Sequence, residues 1–379
     1  MTSLLSYNTV EGIRVRTGFR TNLKFSKQWR FSGYAAYGIT DEKFKYRGEV
    51  EYFFDKNPFR RLSVSYTDNV FMPGFALKNI PQDHYIFSFG PPNTNMFYEK
   101  KFNVTYQHEW FNGLMNTFST DIRELRANRF NTMEHVVTGE VEDVLIDNSF
   151  TIGTRFSINE RFLQGEYMRK PIKTTAPVFT LNYTFSSKAL GSDYTYNRFN
   201  FKMEKRFMPG IFGFTDIELE FDKVFGKVAY PLLAIHKGNG TITYDKSVYN
   251  MMRFMEFASD QSVGLFLEHH FNGLLFSFIP GLNRTKIRTV VTGRVLMGEV
   301  SELNRNDSDP ELIQNPEQAL EALDNGAYYE AGIGVENIVN IFRVDLIQRF
   351  SYLDSPTQKP KSLMGVDGLG LFISFKLKF

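Results

Sequence analysis

Charged and aromatic residues alternate in two neighbouring segments of this 379-residue chain. Within residues 194–207, Arg198, Asn200, Lys202, Glu204 and Arg206 share one side of a two-residue repeat. Phe199, Phe201, Met203 and Phe207 take the other, interrupted by Lys205. Within residues 211–224, Asp216, Glu218, Glu220 and Asp222 lie opposite Ile217, Leu219 and Phe221. A tight turn at Met208-Pro209-Gly210 would set Lys202 near Asp216 and Arg198 near Glu220. Opposite charges facing across a strand pair contribute roughly 0.2–1 kcal/mol each. The simpler reading is a charge ladder that stiffens a wet wall. The sharper one is a path for ions or a substrate.

A second polar set is the basic stripe Arg14, Arg16, Arg20 and Lys24, with Lys45 and Arg47 beside Glu49 and Glu51 two segments on. It reads as solvation of a lumen, or as a surface for an anionic substrate, lipopolysaccharide or a plug. His269 and His270 are adjacent, so on a strand they point to opposite faces and cannot share one metal ion. Asp307, Asp309 and Glu311 lack the spacing and glycine of a calcium loop. Pro316 to Leu323 would form a short helix capped at Asn315. In the long segment 225–259, residues 245–254 would form a helix over a barrel mouth, as a lid or docking surface, or else a packed loop. No nucleophile–base pair, phosphate loop or paired catalytic carboxylate stands out, so neither an enzyme nor a cofactor is expected.

These residues need strands to position them. Alternation is clearest in residues 12–25, with Ile13, Val15, Thr17, Phe19, Thr21, Leu23 and Phe25 on one side and the basic stripe on the other. Similar segments follow at 28–39, 43–54, 59–68, 97–110, 113–127, 149–159, 177–187, 194–207, 211–224, 260–271, 285–299, 328–335, 340–352 and 367–379. Short connections, such as Ser26-Lys27, Asp55 to Pro58, Phe111-Asn112 and Glu336 to Ile338, alternate with long ones at 69–96, 128–148, 225–259, 300–327 and 353–366. Outer-membrane barrels keep short turns on the periplasmic side and long loops outside. Counting back from Phe379 puts every long connection outside, with 160–176 and 272–284 rather long for periplasmic turns. Single-chain barrels normally have an even strand number. Residues 2–8 would supply a short first strand, giving sixteen, or fourteen if 59–68 and 328–335 are not strands. In the last segment Leu369, Leu371, Ile373, Phe375, Leu377 and Phe379 would face lipid, and Lys376 and Lys378 the lumen or periplasm.

Composition agrees. The chain has 39 Phe and 19 Tyr, and no run of 18 apolar residues that could form a spanning helix. Its mean hydropathy of -0.29 fits strands that are apolar on one face only. Cysteine is absent, which excludes disulfides and thiolate metal sites, and a net charge of +2 gives no nucleic-acid signal. Polar residues rather than a secretory leader follow Met1, so the expectation is one barrel domain over 1–379, cut at its N-terminus, with an added start residue. The fold expected is all-β, a closed antiparallel transmembrane β-barrel of the bacterial outer membrane.

Four stretches carry a family resemblance: Ser6 to Gly12, Ala36 to Asp41, Leu267 to Gly273, and Gly332 to Ile338 leading to Phe342-Arg343-Val344-Asp345. Together they resemble Bacteroidota outer-membrane proteins of unknown function that carry an N-terminal carboxypeptidase-regulatory-like domain before a barrel. The resemblance implies a secretory signal and a periplasmic N-terminal portion. More distantly, a glycine-rich strand, then Arg-x-Asp, then a terminal aromatic strand is similar to BamA-type and TamA-type barrels, which insert or export other outer-membrane proteins. Their Val-Arg-Gly-Phe lid motif is not in this sequence. Two functions follow as expectations. One is an assembly or translocation barrel with a weak seam between first and last strands and no wide pore. The other is a solute channel or receptor component with a continuous water path. Expected partners are outer-membrane lipid and lipopolysaccharide, the barrel-assembly machinery through the C-terminal strand, and other envelope proteins.

Overall fold

A computed structural model describes residues 4–73, 96–128, 130–158, 160–165, 169–172, 175–274, 276, 279–280, 285–305, 309–315, 320–354 and 360–375. Sixteen strands form one antiparallel sheet in chain order. They are β1 (Leu5–Asn8), β2 (Gly12–Arg20), β3 (Trp29–Gly38), β4 (Phe44–Lys56), β5 (Phe59–Phe71), β6 (Phe97–Phe111), β7 (Leu114–Arg126) and β8 (Val144–Ser157). The second half comprises β9 (Val178–Ser186), β10 (Tyr196–Phe207), β11 (Phe214–Phe225), β12 (Gln261–His270), β13 (Arg288–Glu299), β14 (Tyr328–Ile338), β15 (Phe342–Arg349) and β16 (Leu369–Phe375). Among the described residues the main sheet therefore has sixteen strands, and both weak segments are among them. No helix among the described residues is long and apolar enough to cross a membrane.

The two-residue repeat sorts side chains as the sequence implies. On β2, Ile13, Val15 and Phe19 are exposed on the outer face, while Arg14 and Arg16 are buried inside. Arg20 ends the strand, and Lys24 is not on it: Asn22 caps the Lys24 amide at 3.0 Å in the turn to β3. On β16, Leu371 and Phe375 are exposed and Phe372 is buried. Leu377, Phe379, Lys376 and Lys378 lie outside the described residues.

The connections fall on two ends. At the turn end lie residues 21–28, 57–58, 112–113, 208–213 and 339–341, together with the longer 158–177 and 271–287. A small hairpin, Arg161–Gln164 with Arg169–Ile172, occupies part of 158–177. At the loop end lie 9–11, 39–43, 72–96, 127–143, 187–195, 226–260, 300–327 and 350–368.

The core sits inside the barrel. Residues 226–260 fold inward as a plug, and their Val228, Ala229, Tyr230, Leu232, Leu233, Ile235 and Met255 pack with Phe97, Leu125, Leu145, Tyr194 and Tyr196 of the wall and its loops. The helix expected at 245–254 does not form; the segment runs through bends and turns. Its backbone is held by side chains instead. Asn250 alone accepts from the Asp245 amide at 3.0 Å and donates to the Asp245 carbonyl at 2.9 Å. Such local bonds compete with helix formation. The expected helix at 316–323 falls partly on 316–319, outside the described residues. Leu320 to Leu323 are not helical, since Glu321 makes a β-bridge to Phe257 of the plug.

Candidate functional site

The β10–β11 ladder forms with a different register from the one the turn suggested. Lys202 faces Glu220, Arg206 faces Asp216, Asn200 faces Asp222, and Glu204 faces Glu218. The cause is the turn: Gly210–Phe212 form a 3-10 turn and β11 begins only at Phe214, so the pairing slides by four residues and keeps the same faces. Arg206 binds Asp216 through two bonds of 2.6 and 2.8 Å, and Arg198 reaches Asp222 at 2.8 Å. Lys202 pairs with Glu218 and lies 3.7 Å from Glu220. Glu220 also accepts from Lys237 of the plug at 2.6 Å, which turns the ladder into an anchor.

Two members of the basic stripe, Arg14 and Arg16, are likewise held by neighbours. Arg14 donates to Asn69 at 2.9 Å and lies 3.3 Å from Glu11, and the Arg16 guanidinium sits 3.7 Å from the Tyr34 ring centre. Lys45 pairs with Glu11 at 3.1 Å and with Asp41, and Glu51 with Arg30 and Arg61. Asp309 and Glu311 both pair with Lys227, tying the β13–β14 loop to the start of the plug; Asp307 is outside the described residues. Among the described residues no group of three or more acidic or histidine side chains is placed to hold a metal ion.

The densest polar cluster was not singled out in the sequence. It joins the plug to β12–β15. Glu330 on β14 accepts from the Asn250 and Met251 amides, each at 2.8 Å, and from Tyr328 and Arg294, also at 2.8 Å. Glu268 on β12 accepts from plug residue Tyr244, from Arg343 at 3.0 Å and shares a 2.8 Å contact with His270. Arg343 also grips Asp345 at 2.8 Å. Arg349 on β15 meets Glu256 of the plug at 2.6 Å, both fully buried. Burial raises the Glu256 carboxyl above its ordinary range despite that arginine, and it raises the Tyr244 hydroxyl too. His236, 2.9 Å from Ser259, is pushed down to about 3 by burial and then by Lys237 and Arg198. Lys361 of the β15–β16 loop donates to the Asn239 and Asn250 carbonyls, and burial pushes it down to about 7. The sequence signal for this cluster is thin: single charges on inward positions of otherwise apolar strands, and the Arg343-x-Asp345 pair. Below the plug, a cavity of about 310 Å³ is lined by Tyr244, Glu268, Glu204, Glu218, Arg155 and Glu160.

The seam is the other distinctive place. β1 has four residues and pairs only with β2, and β16 pairs with β15. Among the described residues no ladder joins β1 to β16. The far edge of β16 is met by the plug instead: the Ile373 amide donates to Ile242 at 2.9 Å, and the Tyr244 amide donates to Ile373 at 3.3 Å.

A sixteen-stranded antiparallel sheet with an apolar outer face and a charged, plugged interior defines an outer-membrane type of β-barrel. Residues 1–302 match the C-terminal domain of the family of unknown function DUF5686, and the chain belongs to that family. No curated protein matches it. Among solved structures, BamA from Haemophilus ducreyi lacking POTRA domains 1–3 is similar with a TM-score of 0.54 and 10% identity, over 98% of this chain and 69% of that one. CdiB from Acinetobacter baumannii gives a TM-score of 0.45 at 10% identity, over 98% and 58%. OprD from Pseudomonas aeruginosa gives 0.38 at 11% identity, over 96% and 88%. The BamA likeness is one of fold.

Proposed function

We propose that this protein is an integral barrel of the bacterial outer membrane that assembles or translocates other envelope polypeptides at its β1–β16 seam. In that setting the turn end faces the periplasm and the loop end the outside, and the outward Leu371 and Phe375 meet lipid. The observation that carries the reading is the outer edge of β16, where the Ile373 amide and carbonyl are bonded to Ile242 and Tyr244 of the plug and the flanking Leu371 and Phe375 have no backbone partner on that edge among the described residues. Unpaired backbone groups are costly in hydrocarbon, so such an edge calls for a strand to complete it. A lumen filled by its own chain suits a seam-based role better than free diffusion through the centre. The fold likeness to BamA and the resemblance in the terminal strands support the same reading.

The test is photocrosslinking from a probe at Leu371 in the full-length protein in its native membrane, with affinity purification alongside. Crosslinks to other outer-membrane polypeptides, with co-purified assembly factors, are the expected result. Crosslinks to lipid alone, together with conductance in planar bilayers, would overturn it in favour of a solute channel, for which the charged cavity below the plug is the supporting feature.

A further inference from the structure

Alternate residues of a strand direct their backbone groups to opposite edges. On β16 the amide and carbonyl of Ile373 point away from β15, because both are bonded to the plug at Ile242 and Tyr244. By that alternation the backbone groups of Leu371 and Phe375 lie on the same edge. Among the described residues neither has a backbone partner across it. Thr243 and Ile373 form a parallel β-bridge, so the plug occupies one position of an edge long enough for a longer strand.

The contact is more than two hydrogen bonds. Phe372, on the inner face of β16, packs with Met251 and Tyr244 of the plug and with Ile347. Gly370 makes room for the same residue: a Cβ there would stand 2.6 Å from the Met251 sulfur. The Arg343 guanidinium lies 4.0 Å from the Tyr244 ring centre, and the Tyr244 hydroxyl is bonded to Glu268. Edge and inner face of β16 are therefore both bound to the plug, and the plug is in turn held by Glu330.

We infer that Ile242–Tyr244 is a built-in cap on the β16 edge, and that an extended polypeptide strand gains that edge only when the plug has withdrawn from it. The identity of the occupant rests on the assembly reading above; the cap does not. An incoming strand that bonds along Leu371, Ile373 and Phe375 would replace the plug's two bonds with a longer ladder, so the exchange is favourable once the plug has left.

Hydrogen exchange in the full-length protein, reconstituted in lipid, tests the cap directly. Glu330→Gln weakens the plug's attachment and should raise exchange at the Ile373 and Tyr244 amides, by on the order of tenfold, while the β14–β15 ladder is unchanged. Since these 379 residues contain no cysteine, the double substitution Thr243→Cys, Ile373→Cys introduces one cysteine pair into the barrel, positioned to form a disulfide. Oxidising it should slow exchange at β16 and abolish crosslinking of a Leu371 probe to other polypeptides, and reduction should restore both. If β16 exchange ignores both the loosened plug and the disulfide, the cap is wrong. Persistent crosslinking to other polypeptides in the oxidised form also overturns it. Exchange that responds as expected, with no polypeptide captured in either redox state, leaves the cap standing and refutes the assembly role.

Discussion

Glu330 carries the plug's attachment to β14 on one carboxylate. It accepts two plug amides, Tyr328 and Arg294, in a site where Arg294 and Glu330 are both buried. Removing one member of a buried ion pair leaves the other uncompensated and costs about 3–5 kcal/mol. Glu330→Ala should therefore loosen the plug by that order, seen as faster proteolysis within residues 238–252 at unchanged barrel content by circular dichroism. Two other buried groups make docking depend on pH. His236 sits at about 3 when docked and returns towards 6.5 when released. The released state binds the extra proton between those values, so docking is fully stabilised above pH 6.5 and weakens as pH falls through the window. The slope is about 1.4 kcal/mol per pH unit at most. Lys361 at about 7, against 10.5 when exposed, gives the same sign in a higher window, so docking strengthens from pH 7 towards 10.5. Protease sensitivity of the plug measured from pH 4 to pH 9 should show both slopes, and His236→Asn should remove only the acid one. A flat acid limb in the unsubstituted protein would refute the assignment.

Single elements decide how the seam is built. The turn from β1 to β2 is set by Asn8, whose side chain accepts from the Val10 and Glu11 amides at 3.0 and 2.8 Å, and by Gly12 at φ +67°. A Cβ on Gly12 would lie 2.0 Å from the Thr40 hydroxyl oxygen. Left-handed backbone at a non-glycine residue costs of order 1–3 kcal/mol. Gly12→Ala should therefore release β1, seen as rapid exchange of the residue 5–8 amides while β3–β15 stay protected. Protection equal to that of the parent would mean that β1 is held from its other edge. At this scale the sequence was informative because strand identity is local. Each apolar–charged alternation, from Ile13/Arg14 to Leu346/Asp345, follows from one strand having one wet and one greasy face. Register was less legible. The 3-10 turn at Gly210–Phe212 adds residues that the motif Met208-Pro209-Gly210 does not announce, and so Lys202 meets Glu220 instead of Asp216. The plug was legible only as a long aromatic segment. Its fold is set by partners remote in sequence, such as Glu330 for Asn250 and Arg349 for Glu256.

The whole molecule is a barrel asymmetrically tied to its contents. Ion pairs and hydrogen bonds to carboxylates join the plug to β11 through Lys237–Glu220, to β12 through Tyr244–Glu268, to β14 through Glu330 and to β15 through Glu256–Arg349. Towards β6, β7, β8 and β10 the plug packs on the apolar and aromatic side chains Phe97, Leu125, Leu145 and Tyr196, with Tyr230 also donating to Asn131 and Thr132 of the β7–β8 loop. Apolar contact is non-directional, whereas buried ion pairs fix geometry. The plug should therefore travel with β11–β16 when the wall deforms and part from the opposite wall. A sixteen-stranded barrel without filling encloses an aqueous channel. Replacing residues 237–252 by a short glycine–serine linker should thus raise planar-bilayer conductance by on the order of tenfold over the closed parent, since side chains now filling the lumen would be gone. Glu330→Ala, which frees the plug without deleting it, should give brief, flickering openings between those levels. Steady conductance in the parent equal to that of the linker variant would show that the plug does not close the lumen, and would shift the functional reading from the seam to the pore.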